Sequence, residues 1–243
     1  MTASLSNPES PMLSIIVPAR NEEQALPATL AAIACARRHA GFLRAEVLVV
    51  DNASSDRTAE VIQRDLEVRY IRCDRLKAPC ARNAGAACAR GHILIFVDAD
   101  TRMPRDGLSR IAELATRFDV GIFGIDGEGR SWRGRLWWCF WNAVRRLPLA
   151  HAKALPAFMF CTRSAFDQLG PFDETVVLGE EWPLTAGCYR RARSRFIYDR
   201  TLRATTSNRR MDRQPWGYTR TFLKYVWAVL HRSGRLHYAD RIR

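Results

Sequence analysis

Gly91-His92-Ile93-Leu94-Ile95-Phe96-Val97-Asp98-Ala99-Asp100 is the stretch on which the fold turns. Residues 93–97 are an unbroken apolar run of strand length, rich in β-branched and aromatic side chains. Such a run reads as a strand buried on both faces. It stops at two carboxylates, Asp98 and Asp100, one residue apart. In an open α/β sheet, ligands bind at the carboxyl ends of the strands. Two hard oxygen ligands there suit Mg2+ or Mn2+, ions that usually also hold substrate phosphates. D-x-D is a short and common pattern, and a plainer reading has Asp98 capping the next segment and Asp100 solvated.

Upstream, the same pattern recurs. Residues 13–17 are an apolar run closed by Pro18, followed by a polar loop over 18–23. Leu26, Leu30, Ile33 and Ala34 then recur at helical spacing within 24–38. Residues 46–50 are a second run, ended by Asp51; Asp56 is placed to cap a helix that starts near Arg57 and carries Ala59, Ile62 and Leu66. A short strand at 68–71 and a helix at 81–89, with Arg82 and Asn83 near its start, complete the series. Strands and helices in alternation give a parallel sheet with right-handed crossovers, which puts Pro18, Asp51 and Asp98 on one edge. No G-x-G-x-x-G follows the first strand and no G-x-x-x-x-G-K-[ST] occurs, so dinucleotide and P-loop chemistries lose their main support.

Downstream, Leu108, Ile111, Leu114 and Ala115 mark an amphipathic helix within 101–118, and strands are expected at 120–125, 155–162 and 196–206. Residues 132–147 place Trp137, Phe140, Trp141, Val144 and Leu147 at helical spacing among Arg130, Arg133, Arg135, Arg145 and Arg146. A basic, aromatic helix of this kind packs on the domain, forms a lid, or lies on a membrane surface. Short helices are expected at 163–168 and 182–192. A last amphipathic helix at 216–231 can dock on anionic lipid or form a dimer contact.

The chain has 243 residues, enough for one large α/β domain or a domain with an appended arm. The polar residues 1–12 read as a disordered lead-in with no signal-peptide core, and no apolar stretch approaches the roughly 18 residues of a membrane span. A cytoplasmic protein is expected. Seven cysteines, an odd number without C-x-x-C spacing, read as buried free thiols rather than a disulfide framework or zinc site. Charge is uneven: residues 186–243 hold 15 Lys and Arg against three Asp, a net of +12 out of the chain's +13. Nucleic acid, anionic lipid or a phosphorylated substrate would suit that segment.

Four pieces together carry a resemblance: I-I-V-P-A-R-N-E-E at 15–23, V-V-D-N-A-S-S-D-R-T at 49–58, A-R-N-A-G at 81–85 and F-V-D-A-D at 96–100. In this order and spacing they resemble the family 2 glycosyltransferases of the GT-A fold. The resemblance extends over residues 13–210 and is densest up to 103. It implies a Rossmann-like, open, mostly parallel sheet flanked by helices, with a nucleotide-binding half over 13–103 and an acceptor half over 104–210. Residues 211–243 form a basic, amphipathic C-terminal helical extension. It implies that Pro18, Ala19, Arg20, Glu22 and Asp51 cradle the base and ribose of a nucleotide-diphospho-sugar. Arg82 and Asn83 lie near the donor, Asp98 and Ala99 contact it, and Asp100 with Asp98 holds the divalent metal on the diphosphate. For Asp51 alone, capping the turn at Asn52 is the simpler role.

Later, L-G-P-F-D-E at 169–174 and G-E-E-W-P-L at 179–184 resemble the family's G-F-D-E…G-E-D-x-x-L stretch, in which the second acid of the pair is the general base. That role carries over to Glu181, with Glu180 beside it. The chain departs from the pattern with Glu rather than Asp at 181 and Pro171 in place of Gly. A carboxylate here can take the proton of an attacking hydroxyl; the pair can also cap the following helix. Arg209 and Arg210 resemble the S-x-R-R element of some bacterial members, where two guanidinium groups clamp the diphosphate, or they are solvated surface charge.

The expected function is therefore inverting sugar transfer from a nucleotide-diphospho-sugar to a glycan or lipid-linked acceptor in cell-surface glycan or glycolipid assembly. The protein would be peripheral at the inner face of the membrane. The alternative is a non-catalytic nucleotide-sugar-binding or partner protein that keeps the fold. Nucleic-acid binding leaves Asp51, Asp98 and Asp100 unexplained and matches no motif, so no nucleic-acid partner is expected.

Overall fold

The structure is a computed structural model that describes residues 12–41, 44–129, 132–154, 156–176, 178–214 and 216–230. Its first half is built from β1 (Leu13–Ala19), β2 (Ala45–Asp51), β3 (Val68–Arg72) and β4 (Ile93–Val97). All are parallel, with Ala19 opposite Asp51 and Ile15 opposite both Val47 and Ile95. Parallel pairing needs crossovers. Helices α1 (Leu26–Ala40), α2 (Thr58–Gln63) and α3 (Ala78–Cys88) supply them. Alternate side chains of β1 serve two cores: Ile15 and Val17 pack with Leu26 and Ile33 of α1, and Ile16 packs with Cys80 and Ala81 of α3. A Cβ on Gly85 would lie 2.4 Å from Ile16 Cγ2, so this glycine sets how closely α3 lies on the sheet.

Beyond β4 the sheet continues through β5 (Thr101–Arg102), β6 (Val120–Glu128), β7 (Phe158–Thr162) and β8 (Phe196–Ser207), in the order β3-β2-β1-β4-β7-β6-β8-β5. β7 runs antiparallel to β4 and β6, whereas β6 and β8 are parallel. The helix expected within 101–118 is α4 (Gly107–Ala115), and the two-residue strand β5 before it is an addition that periodicity does not mark. Thr101 pairs with Thr206, its hydroxyl donating to Thr206 Oγ1 at 2.9 Å. That pairing carries the end of β8 to Asp100, whose carbonyl accepts from the Ser207 N–H at 3.1 Å.

The remaining helices are α5 (Trp132–Val144), α6 (Arg163–Leu169), α7 (Thr185–Arg191), α8 (Arg209–Asp212) and α9 (Gly217–Leu230). One face of α5 packs against α9, with Trp137 on Tyr218 at 5.5 Å and Trp141 on Tyr225 at 4.4 Å between ring centroids. Three expectations are corrected. Helix α5 ends at Val144, and Leu147 is exposed rather than part of its packed face. Helix α7 starts at Thr185, three residues later than expected, because residues 180–184 form turns. Of the cysteines, Cys73, Cys80, Cys161 and Cys188 are buried, but Cys35, Cys88 and Cys139 are exposed. Residues 1–11 and 231–243 lie outside the described residues. No described helix is long and apolar enough to cross a membrane.

Candidate active site

The loops after β1 and β2 are fastened to each other. Asn21 adopts a left-handed backbone with φ of 53°, tolerable for Asn. Its carboxamide oxygen accepts from Ser55 N–H at 2.8 Å, and its own N–H donates to Ser54 Oγ at 3.1 Å. Glu22 N–H donates to Thr58 Oγ1 at 2.8 Å. Asp56, expected to cap α2, accepts from Thr58 N–H at 3.0 Å, but it stands one residue before the helix's first flanking position, Arg57, and no side chain caps the helix. Asp51 ends β2 buried, accepting from Ser54 N–H at 3.0 Å and from the Tyr70 hydroxyl at 3.2 Å.

Above these strand ends lies a cleft of about 390 Å3 walled by Pro18, Ala19, Arg20 and Glu22 from the first loop, Arg82 from α3, and Asp98, Ala99 and Asp100. Eight of the residues singled out in the sequence thus meet in one cavity. Asp51 and Asn83 are not on its wall. Asn83 instead fastens the loop after α6: its amide donates to Phe172 O at 2.9 Å and its oxygen accepts from Phe172 N–H at 2.9 Å. Arg209 lines an adjoining cavity with Asp100, Arg102 and Glu128, and pairs with the buried carboxylate of Glu22. The side chain of Arg210 lies outside the described residues.

A second cavity, of about 180 Å3, opens on the other side of Arg82 and Asp98 and holds Glu180, Glu181, Trp137, Trp138 and Phe172. The Arg82 guanidinium joins the two, donating to Asp98 Oδ1 at 2.7 Å and to Glu180 Oε1 at 3.0 Å. Its side chain is only 12% exposed. Burial works against that charge, but Asp98, Glu180 and Glu181 outweigh it and hold Arg82 above the ordinary arginine range. Glu181 is buried. The residue before α7 is Leu184, and no side chain caps the helix. Both acids line the second cavity.

Arg145 is fully buried, donating to Ala154 O at 3.1 Å and to Asn142 Oδ1 at 3.0 Å. Burial pulls its pKa down to about 10, against the opposing pull of Tyr198 and Glu181. No group of three or more His, Cys, Asp or Glu is assembled for a metal among the described residues. Asp98 and Asp100 alone cannot saturate octahedral Mg2+ or Mn2+. They fit an ion that takes its other oxygens from a diphosphate and water.

Sequence reasoning missed Asn21, Asn52, Leu76 and Ala78 on the cleft wall, and Trp137 and Trp138 in the second cavity. The asparagines stand inside the quoted strand-end motifs and were within reach. Nothing marks Leu76, a lone apolar residue between Arg75 and Lys77. Trp137 belongs to the helical aromatic stripe, for which packing, a lid and membrane contact are all open from the sequence, and Trp138 is not marked by that periodicity; both are buried.

Known proteins bear on this site. The undecaprenyl-phosphate 4-deoxy-4-formamido-L-arabinose transferase of Pseudomonas savastanoi pv. phaseolicola is 31% identical over 129 residues, 50% of this chain and 38% of that protein. The succinoglycan biosynthesis protein ExoO of Rhizobium meliloti is 32% identical over 163 residues, 58% of this chain and 46% of that one. The chain thus spans less than half the length of these curated relatives. Among solved structures, S. aureus TarS 1-349 superposes with a TM-score of 0.60 at 19% identity, covering 80% of this chain and 60% of its own. The mannosyltransferase PcManGT from Pyrobaculum calidifontis, in complex with GDP-Man and Mn2+, gives 0.59 at 22% identity, covering 81% and 56%. At these identities the likeness is one of fold, the GT-A fold expected from the strand-end motifs. Residues 14–169, most of the sheet and both cavity-forming loops of its first half, match Glycosyl transferase family 2, and the chain belongs to that family.

Proposed function

We propose that the protein is an inverting glycosyltransferase that takes a nucleotide-diphospho-sugar in the 390 Å3 cleft and passes the sugar to an acceptor hydroxyl in the 180 Å3 cavity. One observation carries the reading: the two cavities meet at Arg82 and Asp98, and the acidic pair lies in the second while Asp100 lines the first. A leaving diphosphate beside Asp100 and a base at Glu181 stand on opposite sides of that junction. The acceptor oxygen attacks the anomeric carbon, Glu181 takes its proton, and the C–O bond to the diphosphate breaks with the electron pair leaving on the nucleotide. Attack from the face opposite the leaving group inverts the configuration.

Pro18, Ala19, Arg20 and Glu22 would hold the nucleoside end, with Asn52 on the same wall and Asp51 next to it at the end of β2. Arg82 would orient the sugar and diphosphate at the junction. Asp100, with Asp98, would hold Mg2+ or Mn2+, which as a Lewis acid offsets the charge that develops on the departing diphosphate. Arg209, now paired with Glu22, is within the wall beside Asp100 and can turn to a bound phosphate. The relatives, an undecaprenyl-phosphate 4-deoxy-4-formamido-L-arabinose transferase and a succinoglycan biosynthesis protein, support a lipid-linked or glycan acceptor for this chain too.

Calorimetric titration of the whole chain with UDP, GDP and dTDP, with and without Mn2+, tests the donor site. The expected result is preferential binding of one nucleotide that requires the metal and is lost in Asp100→Ala. Absence of binding by all three in every condition would overturn the proposal.

A further inference from the structure

Helices α5 and α9 bury one side of their contact and leave the other bare. Trp137, Trp141, Tyr218 and Tyr225 close the inner seam. Outside it, Trp132, Leu136, Phe140 and Phe222 line an open groove of about 490 Å3, with the Phe140 and Phe222 rings 5.7 Å apart. Trp132 is 66% exposed, Leu136 60% and Leu223 61%. Among the described residues, every exposed large hydrophobic side chain except Leu66 and Leu76 lies on these two helices or the segments that flank them. An apolar concentration of this size on one face marks an interaction surface.

The charge around it says what it meets. Residues 132–149 and 213–227 contain no Asp or Glu, one Lys and six Arg, of which only Arg145 is fully buried; Asp212, just before the second stretch, accepts from the Tyr218 hydroxyl. Arg133, Arg135 and Arg220 are exposed beside the apolar face. A second copy of this chain would bring the same cations against themselves. A bilayer of anionic lipid complements both features, apolar side chains entering the acyl boundary and guanidinium groups meeting the headgroups. The groove also adjoins the acidic cavity: Trp137 lines both, and Thr221 of α9 lines the cavity that holds Glu181.

We infer that the outer face of α5 and α9 docks the protein on an anionic membrane surface and so presents the Glu181 cavity to the lipid, from which the acceptor is taken. The docking half of this inference stands without the transfer chemistry; the acceptor half rests on the function proposed above. Sedimentation of the full chain with vesicles of phosphatidylcholine alone, or mixed with phosphatidylglycerol, tests it at low and high salt. Binding is expected to the mixed vesicles only and to weaken with salt. The triple variant Trp132→Ser/Leu136→Ser/Leu223→Ser and the double variant Arg135→Glu/Arg220→Glu should each lose about tenfold or more in affinity. Both change exposed positions, and circular dichroism with nucleotide titration reports whether each variant is folded with its donor site intact. A wild-type chain that binds nucleotide but leaves anionic vesicles untouched would overturn the inference. So would undiminished vesicle binding by both variants, or a wild-type dimer that the triple variant dissociates, which would make a second copy the occupant of the face.

Discussion

Glu181 and Glu180 are neighbours in different surroundings, and under the proposed mechanism that difference separates their roles. Glu180 Oε1 is held by Arg82 at 3.0 Å, so its charge is committed to the junction between the cavities. Glu181 is buried in the wall of the second cavity, and its charge acts on the buried Arg145 guanidinium. Glu181→Gln keeps the shape and removes the proton acceptor. The turnover number is expected to fall by about 100-fold or more, the usual span of a general base, while nucleotide affinity stays within about threefold because no donor contact changes. Single-turnover kinetics beside calorimetry separates the two; equal losses in both would place Glu181 in donor binding instead. The carboxylates were legible because each follows an apolar run or a recognisable acidic stretch, and sequence carries that information locally. Their partners were not. Arg82 finds Glu180 across 98 positions, and Asn83, expected at the donor, spends its amide on the backbone of Phe172, 89 positions away. Such pairings are set by how α3 lies on the sheet, and that depends on Gly85 against Ile16.

At the level of the element, β8 illustrates what periodicity cannot show. It was read as one strand, and it is one, yet its register with β6 jumps: Phe123 faces Asp199 and Gly124 faces Arg203, leaving residues 200–202 bulged. The buried carboxylate of Asp199 closes the bulge. It accepts from Thr201 N–H at 2.7 Å, from the Thr201 hydroxyl at 2.6 Å and from Arg110 Nε of α4 at 2.9 Å. Burial alone would raise its pKa, but the Thr201 and Arg110 hydrogen bonds outweigh it and hold the carboxyl below its ordinary 3.8. A carboxylate lowered in the folded state stabilises above its unfolded pKa and loses that contribution as pH falls through the folded value. Asp199→Asn should therefore cost about 2 kcal/mol near neutral pH, the scale of hydrogen bonds to a charged group. The gap between variant and wild type should hold down to about pH 5 and narrow below that. Urea denaturation across pH measures it; a gap that widened on acidification would refute the role. The short strand β5 escaped the sequence for the same reason as the bulge, since two residues become a strand only when Thr206 arrives beside Thr101.

Across the whole molecule, the nucleotide-binding and acceptor halves expected from the sequence share one sheet. β4 of the first half pairs along its full length with β7 of the second, from Ile93 opposite Thr162 to Val97 opposite Phe158. Further ties cross the same boundary: Arg82 to Glu180, Asn83 to the loop at Phe172, Arg75 to Glu174 and Thr101 to Thr206. Cutting the sheet between β4 and β7 would expose two long apolar edges, so neither half has a stable way to lose the other. All seven tryptophans, from Trp132 to Trp227, lie in the second half or beyond it. Tryptophan fluorescence thus reports that half alone, whereas far-ultraviolet circular dichroism reports helices and strands throughout. If the sheet makes the halves one cooperative unit, urea unfolding followed by the two probes gives coincident midpoints. A nucleotide with Mn2+, which contacts no tryptophan in the proposed donor cleft, should raise both midpoints together, because a ligand that binds only the folded state stabilises everything coupled to its site. A fluorescence midpoint that lags the dichroism, or that stays fixed while the dichroism shifts with nucleotide, would mean that the halves unfold separately and that the β4–β7 seam does not hold the two cavities in one rigid frame.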